Sequence, residues 1–338
     1  MNKVKSFFIV CFITFIFVLI TDYIITSLNN YRGVSKFYIS NQLVGHLNKP
    51  NFEGVAGGFL HEYSAFVTIG KLGERNSELN KNCNYNSKVI FLGDSSTAGF
   101  EVKDDETFVS QFNLTQCNYL GINFGVRAHN THNIIGNYKR INNIKHSNVV
   151  YLIHPNDLHE NLDKLINLNL VKKYGGVVDG QFFKPQLSKF EELYFKLRVF
   201  ISDNFYITTQ FVSFLESRKK GYEKPRHHKD KPTEEELNKL LKLVYELGKV
   251  TKKNDAELYL AIYPCVNKSK CKSIYLEKKL VEVSNKSQIF KVVPIATDLQ
   301  QKFDNNQLNP SLFMFKTDEH ATRYGHKMLS EYFVNYIK

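Results

Sequence analysis

The chain has 338 residues, of which 43% are hydrophobic, 14% aromatic and 23% charged, with only 8 prolines and 18 glycines. This composition is typical of a folded globular protein and excludes a disordered or collagen-like chain. The 45 basic and 33 acidic side chains give a net charge of +12. That charge would suit an anionic membrane surface or an acidic polymer, but no basic stretch is interleaved with aromatic residues, so we predict no nucleic-acid binding.

An apolar segment lies at the start of the sequence. Nearly every residue of Phe7–Ile20 is strongly apolar, and a mostly apolar run resumes over Tyr23–Leu28. About 22 such residues form roughly 33 Å of helix, enough to cross a bilayer core. Lys3 and Lys5 precede the segment, so the positive-inside rule predicts a cytoplasmic N-terminus and an extracytoplasmic body. No small-residue cleavage site follows, which favours an uncleaved anchor over residues 1–30 to the alternative, a signal peptide.

Four of the five cysteines lie beyond this segment, an even number that suits an oxidising compartment. Cys83 and Cys117 each precede a strand-like run, so parallel pairing of those runs would bring both thiols to one end of a sheet. Cys265 and Cys271 would close a small loop after another predicted strand. We therefore predict two local disulfides, with four unpaired thiols as the alternative. No cysteine spacing typical of zinc is present.

Strand-like and helix-like runs alternate from about residue 85, after a polar approach segment at residues 31–84 that we expect to pack on the main domain. The alternation is typical of βαβ units, and nearly continuous apolar strands indicate a parallel sheet covered on both faces. The predicted strands are 88–92, 119–123, 148–153, 257–263 and 289–293. The sequence therefore predicts one α/β domain over residues 85–338.

The alternation is interrupted at residues 159–232, which predicts an insertion in that domain. It contains an aromatic-rich, helix-compatible segment at Phe190–Phe214 and then a charged loop. His227 and His228 lie in that loop, but they lack carboxylate or cysteine partners, so we predict no metal site. Thr233 follows and is predicted to cap a strong amphipathic helix.

Ser95 lies directly after the first core strand, in the segment Gly93-Asp94-Ser95-Ser96. Ligands of open α/β sheets bind at the carboxyl ends of strands, so this serine is placed where chemistry is expected. A serine hydroxyl becomes a strong nucleophile only when a neighbouring base takes its proton. His320 is the candidate base, and Asp318 could orient its ring and stabilise the imidazolium. The alternatives are a polar turn with Asp94 capping a helix, and a surface histidine at a helix start.

Four short blocks follow one another along the sequence: Gly93 to Ser96, Asn123 to Asn130, His154 to Asp157, and Asp318-Glu-His320 with Gly325-His326. In content and order they resemble the SGNH hydrolase superfamily, also called GDSL esterases and lipases. The resemblance covers about residues 85–158 and 315–335. It implies a three-layer α/β/α sandwich with a flavodoxin-like parallel sheet, here carrying an N-terminal transmembrane helix and a helical insertion.

The resemblance also implies roles for individual residues. Ser95 would be the nucleophile, His320 the base and Asp318 its orienting acid, while the N–H groups of Ser95 and Ala128 and the Asn156 amide would form the oxyanion hole. Ala128 departs from the glycine usual at its position, and its backbone donor remains usable only where alanine can adopt the required φ. Asp318 lies two residues before the histidine, where the family often has three.

The implied function is hydrolysis of O-acyl groups, O-acetyl groups in particular, on an envelope or extracellular glycan, with no cofactor. An acetyltransferase passes through the same acyl-enzyme and remains open. A lipase or lysophospholipase is a further enzymatic alternative, favoured by the anchor and the aromatic insertion. A catalytically inactive fold that binds glycan or acts as a scaffold is the alternative from a different functional class. The sequence does not predict an oligomeric state.

Overall fold

The computed structural model describes residues 3–28, 34–57, 62–161, 176–178, 181–183, 188–209, 211, 231–265, 272–316 and 320–337. Its strands are β1 Tyr38–Asn41, β2 Gly45–Asn48, β3 Phe52–Gly57, β4 Ser64–Ile69, β5 Ser87–Gly93, β6 Tyr119–Asn123, β7 Asn148–Ile153, β8 Gly176–Val178, β9 Gln181–Phe183, β10 Glu257–Ile262 and β11 Lys291–Val293. Its α-helices are α1 Lys3–Leu28, α2 Ser95–Ala98, α3 Phe108–Thr115, α4 Thr131–Ile141, α5 Asp157–Glu160, α6 Lys189–Asn204, α7 Glu234–Lys253, α8 Lys272–Ser287, α9 Ile295–Asp304, α10 Pro310–Phe313 and α11 Arg323–Tyr336.

Five parallel strands form the central sheet, in the order β11-β10-β7-β5-β6. Numbered along the chain, this is the order 2-1-3-4-5 of flavodoxin-like sheets. Helices α4, α7 and α8 cover one face, and α3, α9 and α11 cover the other. The central strand β7 is buried along its whole length, as expected of a strand with helices on both sides. The predicted α/β class and the flavodoxin-like order are confirmed.

Helix boundaries follow local capping chemistry. The Thr233 hydroxyl accepts a hydrogen bond from the backbone N–H of Glu236, whose carboxylate accepts one from the backbone N–H of Thr233. This reciprocal capping box starts α7 where the sequence predicts it. The C-terminal helix begins at Arg323, because the Thr322 side chain caps it by accepting a hydrogen bond from the backbone N–H of Gly325.

The approach segment forms two antiparallel hairpins, β1-β2 and β3-β4. It joins the main sheet where the backbone N–H of Arg75 donates to the carbonyl oxygen of Asn123 at the end of β6. The guanidinium of Arg75 is fully buried and donates to the carbonyl oxygens of Gly99 and Val102 at 3.0 and 2.8 Å, while its Nε lies 2.6 Å from the carboxylate of Asp104. Arg75 therefore fixes the loop that follows α2.

The predicted disulfide between Cys83 and Cys117 is confirmed, with the two Cα atoms 4.9 Å apart. The parallel register of β5 and β6 pairs Ser87 with Tyr119, which places both cysteines at the same end of the sheet. Cys265 is also disulfide-bonded. Its predicted partner, Cys271, lies outside the described residues. Cys11 is an exposed free thiol on α1.

Within the described residues, one helix, at the N-terminus, is long and apolar enough to cross a membrane. Its large apolar side chains are exposed rather than packed against the body. The insertion contains the short β8-β9 hairpin, helix α6 and a helical turn at 206–209. The loop with His227 and His228 lies outside the described residues.

Replacing Arg75 by leucine should lower the free energy of unfolding by about 3 to 5 kcal/mol, because the change removes the cation paired with Asp104 and leaves the carbonyl oxygens of Gly99 and Val102 without this donor. Arg323→Leu is the matched control. The Arg323 side chain is 78% exposed and lies 3.5 Å from Glu106, so its loss should cost less than about 0.5 kcal/mol. Urea unfolding of the full chain in detergent measures both, and equal losses would contradict the assignment of Arg75 as a buried clamp.

Candidate active site

Ser95 lies at the carboxyl end of β5, where the order of the sheet reverses between β5 and β7. Strand β5 ends at Gly93, and Asp94 caps the one-turn helix α2 by accepting a hydrogen bond from the backbone N–H of Ser96 at 2.9 Å. The helix ends at Gly99 in the left-handed conformation. Ser95 is half-buried, whereas the three residues after it are buried. Among the residues of α2, it is therefore the serine that substrate can reach.

The loop after β6 packs directly on this turn. The backbone N–H of Val126 donates to the carbonyl oxygen of Gly93, and the Asn123 amide donates to the carbonyl oxygen of Thr97 at 2.8 Å. A Cβ at Gly125 would lie 2.3 Å from the backbone nitrogen of Ala98, so only glycine permits this approach. These contacts bring the second predicted block against the nucleophile turn.

Ala128 has a φ of +59° and thus occupies the left-handed region. This conformation is roughly 1 kcal/mol less favourable for alanine because its Cβ crowds the backbone, whereas glycine adopts it without that penalty. The sequence does not show whether residue 128 adopts a positive φ, and the structure shows that it does. Within the described part of the chain, the backbone N–H groups of Ser95 and Ala128 donate to no protein acceptor. Both remain available to an oxyanion.

Asn156 follows β7, the strand that pairs with β5 so that Leu152 lies opposite Gly93. The Asn156 amide oxygen lies 2.6 Å from Nδ1 of His154, and its amide nitrogen donates to the Glu160 carboxylate at 2.9 Å. These contacts fix the plane of the amide. One of its two N–H groups is used by Glu160, and the second has no acceptor among the described residues.

Asp157, next to Asn156, is a buried carboxyl that supports this turn. It accepts hydrogen bonds from the Tyr151 hydroxyl at 2.7 Å and from the backbone N–H of His154 at 3.3 Å. Burial, followed by the negative charges of Asp94 and Glu160, raises the pKa of Asp157 well above its usual range. The protonated form of Asp157 is favoured because its carboxylate would add another negative charge next to those of Asp94 and Glu160.

His320 lies in the segment between α10 and α11, where the backbone N–H of Phe315 donates to its carbonyl oxygen. Its Nδ1 is 3.8 Å from a carboxylate oxygen of Glu101, and the same oxygen accepts a hydrogen bond from Arg127 at 2.9 Å. The Glu101 side chain is almost completely buried, and its second oxygen has no hydrogen-bond partner within the described structure. A carboxylate that faces Nδ1 can orient an imidazole ring.

Asp318, the predicted orienting acid, lies outside the described residues. Among the described contacts, no hydrogen bond joins the Ser95 hydroxyl to His320. Hydrogen bonds between a nucleophile and its base often tighten only when substrate binds. The structure thus places Ser95, Ala128 and Asn156 on neighbouring loops at one edge of the sheet, and it places His320 beside the loop that follows the nucleophile helix.

The sequence gives no role to Glu101, Arg127 or His154, which the structure places beside the predicted site residues. Glu101 lies six residues after Ser95 and Arg127 directly before Ala128, but their separation from His320 along the chain is about 200 residues. Such contacts have no local pattern that a single sequence could reveal. His154 was the one visible signal, since it stands where the family motif has glycine.

His326 also belongs to the fourth predicted block, and the structure gives it a packing role. Its Nδ1 accepts a hydrogen bond from the backbone N–H of Phe108 at 3.2 Å, and its ring stacks on the Phe108 ring. Burial, followed by the positive charges of Arg75 and His320, lowers the pKa of His326 to about 3. The neutral ring joins α11 to α3 beneath the site.

No protein-family model matches the sequence, and no curated protein matches it. Solved structures do resemble the fold. A protein assigned to the G-D-S-L lipolytic family from Desulfitobacterium hafniense DCB-2 has a TM-score of 0.44 at 13% identity, covering 74% of this chain and 99% of its own. A member of that family from Veillonella parvula DSM 2008 has a TM-score of 0.40 at 11% identity, covering 74% and 97%.

An acetylxylan esterase from Geobacillus stearothermophilus has a TM-score of 0.42 at 13% identity, covering 75% of this chain and 94% of its own. At such identities and TM-scores, these likenesses do not decide which reaction this chain performs.

Ala128→Gly should raise the free energy of unfolding by about 0.5 to 1 kcal/mol, because glycine adopts the left-handed conformation without a Cβ penalty. The greater conformational entropy of glycine in the unfolded chain offsets part of this gain. Ala128→Val should lower it by about 1 kcal/mol or more, since a β-branched residue is strained there. Urea unfolding of the full chain compares the three proteins. A less stable glycine variant would contradict the strain assigned to Ala128.

Proposed function

We propose that this protein is a membrane-anchored serine esterase that removes O-acyl groups, O-acetyl groups in particular, from a glycan outside the cytoplasm. One observation carries the proposal: the half-buried Ser95 opens a helix at the switch point of the sheet, with a left-handed residue 128 on the adjoining loop. Two backbone N–H groups without protein acceptors at such a point are the donors that an oxyanion needs. The resemblance of the four sequence blocks supports the same conclusion.

In the proposed reaction, the Ser95 oxygen attacks the ester carbonyl carbon while His320 takes the hydroxyl proton. The carbonyl oxygen becomes an oxyanion, which the N–H groups of Ser95 and Ala128 and the Asn156 amide stabilise. Collapse of the tetrahedral intermediate breaks the bond to the sugar oxygen, which leaves with the proton from His320. Water then attacks the acyl-enzyme in the same way and releases the acid. A sugar hydroxyl in place of water would make the protein a transferase.

Glu101 is proposed as a positioning residue for His320. Its carboxylate faces Nδ1 at 3.8 Å and is itself held by Arg127, so it favours the imidazolium that forms during the reaction. Asp318 is proposed as the orienting acid on the sequence pattern alone. Because Glu101 is buried beside this ring, its charge would act there in addition to that of Asp318.

The surroundings of His320 favour a sugar over a long acyl chain. Arg127 is paired with Glu101 and hydrogen-bonds Tyr63, and Tyr38 lies nearby. Burial lowers the pKa of Arg127, but Glu101, Tyr38 and Tyr63 together raise it by more, so the net shift is upward. Charged and hydroxyl groups of this kind suit the hydroxyls of a glycan. A lipase remains the second candidate, and the exposed apolar face of α6 is the observation that favours it.

Hydrolysis of p-nitrophenyl acetate by the full chain in detergent tests the proposal. Ser95→Ala and His320→Ala should each lower kcat/KM by about three orders of magnitude or more, to background. Ser96→Ala is the matched control, because this neighbouring hydroxyl is buried and takes no part in the proposed reaction, and it should retain activity. If wild type and Ser95→Ala share one background and a serine-directed phosphonate labels neither, the inactive glycan-binding fold becomes the better explanation.

Glu101→Gln should lower kcat by about ten-fold and move the acidic limb of the pH profile of kcat/KM down by about one unit. Loss of a negative charge destabilises the imidazolium, so the pKa of His320 falls and the neutral base persists to lower pH. Among the described residues, Arg127, Arg75, His326, Tyr38 and Tyr63 are further charged or titratable groups near this pair, and Asp318 lies two residues before His320 in the sequence. The pH profile of the full chain measures the shift, and an unchanged acidic limb would remove Glu101 from the mechanism.

A further inference from the structure

We infer that helix α6 of the insertion lies in the membrane interface and forms a second contact with the bilayer beside α1. The inference rests on the membrane anchoring proposed above. It begins with a stripe of large apolar side chains on α6. These side chains are between 54% and 78% exposed, namely Phe190, Leu193, Tyr194, Leu197 and Phe200.

The stripe occupies one face of the helix. At about 100° per residue, its five members fall within roughly 120° of arc, the width of an apolar helix face that is normally buried. Lys196 and Arg198 flank its two edges in that projection. Basic side chains at the edges of an apolar face are typical of interfacial helices, where their stems lie along the acyl chains and their charges reach the headgroups.

The C-terminal end of α6 is attached to the protein. The ammonium group of Lys36 donates to the carbonyl oxygen of Asp203 at 3.1 Å and to the side-chain oxygen of Asn204 at 3.2 Å. Asp203 is buried and projects on the side of the helix away from the stripe. Attachment at this end leaves the stripe exposed along the rest of the helix.

The helical turn at 206–209, which follows α6, is hydrogen-bonded to α1 near the C-terminal end of that helix. Asp22 of α1 accepts hydrogen bonds from the backbone N–H groups of Ile207 and Thr208, at 3.0 and 2.8 Å, and from the Thr208 hydroxyl at 2.7 Å. The Thr26 hydroxyl accepts one from the backbone N–H of Tyr206 at 3.0 Å. These bonds compensate a carboxylate that would be costly in an apolar helix.

The position of these hydrogen bonds on α1 corresponds to the edge of a bilayer. About 20 residues of helix cross the hydrocarbon core, and counted from Phe7 they end near Thr26. The hydrogen bonds at Asp22 and Thr26 thus hold the insertion against the last turn of α1 inside the membrane. A helix of 16 residues, about 24 Å long at 1.5 Å per residue, leads into this attachment. Lipid is therefore the occupant that adjoins the exposed stripe.

The sequence contains no tryptophan. A single introduced tryptophan is therefore the only source of tryptophan fluorescence, and its quenching reports on one position. The full chain carrying Phe200→Trp or Tyr194→Trp is reconstituted in vesicles of phosphatidylcholine and phosphatidylglycerol. Half of the phosphatidylcholine carries bromines on the upper acyl chain. Phe15→Trp reports on α1, and Tyr336→Trp, at an exposed position of the C-terminal helix, is the matched control.

Bromolipid should quench the fluorescence of Phe200→Trp, Tyr194→Trp and Phe15→Trp by about two-fold or more, and that of Tyr336→Trp by less than about a tenth. If Phe15→Trp is quenched while both α6 variants behave like Tyr336→Trp, the anchor stands and the inference is wrong. A stripe that binds another protein would give that result. If Phe15→Trp is not quenched, the proposed anchor fails and the inference fails with it. Ester hydrolysis plays no part in any of these readouts.

Discussion

The buried guanidinium of Arg75 is the interaction on which the rest of the site depends. It belongs to the approach segment, yet its hydrogen bonds end on the carbonyl oxygens of Gly99 and Val102, on either side of Glu101. The same side chain pairs with Asp104 and lies over the ring of Phe100. These contacts fix the conformation of the loop, and the loop in turn positions Glu101 beside His320. The approach segment is in this sense part of the main domain, because its Arg75 side chain fixes the loop after α2.

The candidate site also contains several features that are unfavourable for the stability of the fold. Ala128 is held in the left-handed region, Gly125 meets α2 at a distance that no side chain allows, and Asp157 is a buried carboxyl with a raised pKa. Each of these would be eliminated in a protein selected only for stability. Their occurrence on adjoining loops at one edge of the sheet is what a preorganised site requires, since donors must already point at the place where charge develops.

The N-terminal helix α1 and the insertion form a second set of contacts away from the sheet. Asp22 would be an isolated charge in an apolar helix, but the backbone of residues 207 and 208 surrounds it. These hydrogen bonds attach the insertion to α1.

The sequence by itself determined the features that arise from local patterns. Apolar runs predicted the parallel strands, Thr233 predicted a helix start, and the positions of Cys83 and Cys117 before two neighbouring strands predicted their disulfide. The motif blocks placed Ser95, Ala128 and Asn156 at strand ends, because residues that follow parallel strands meet at one edge of the sheet. Only the tertiary structure decided that position 128 has a positive φ, that Glu101 and Arg127 face His320, and that Asp22 is covered by the insertion. Those contacts join segments about 185 to 220 residues apart or depend on how one loop packs on another, and neither periodicity nor spacing within one sequence records such distances.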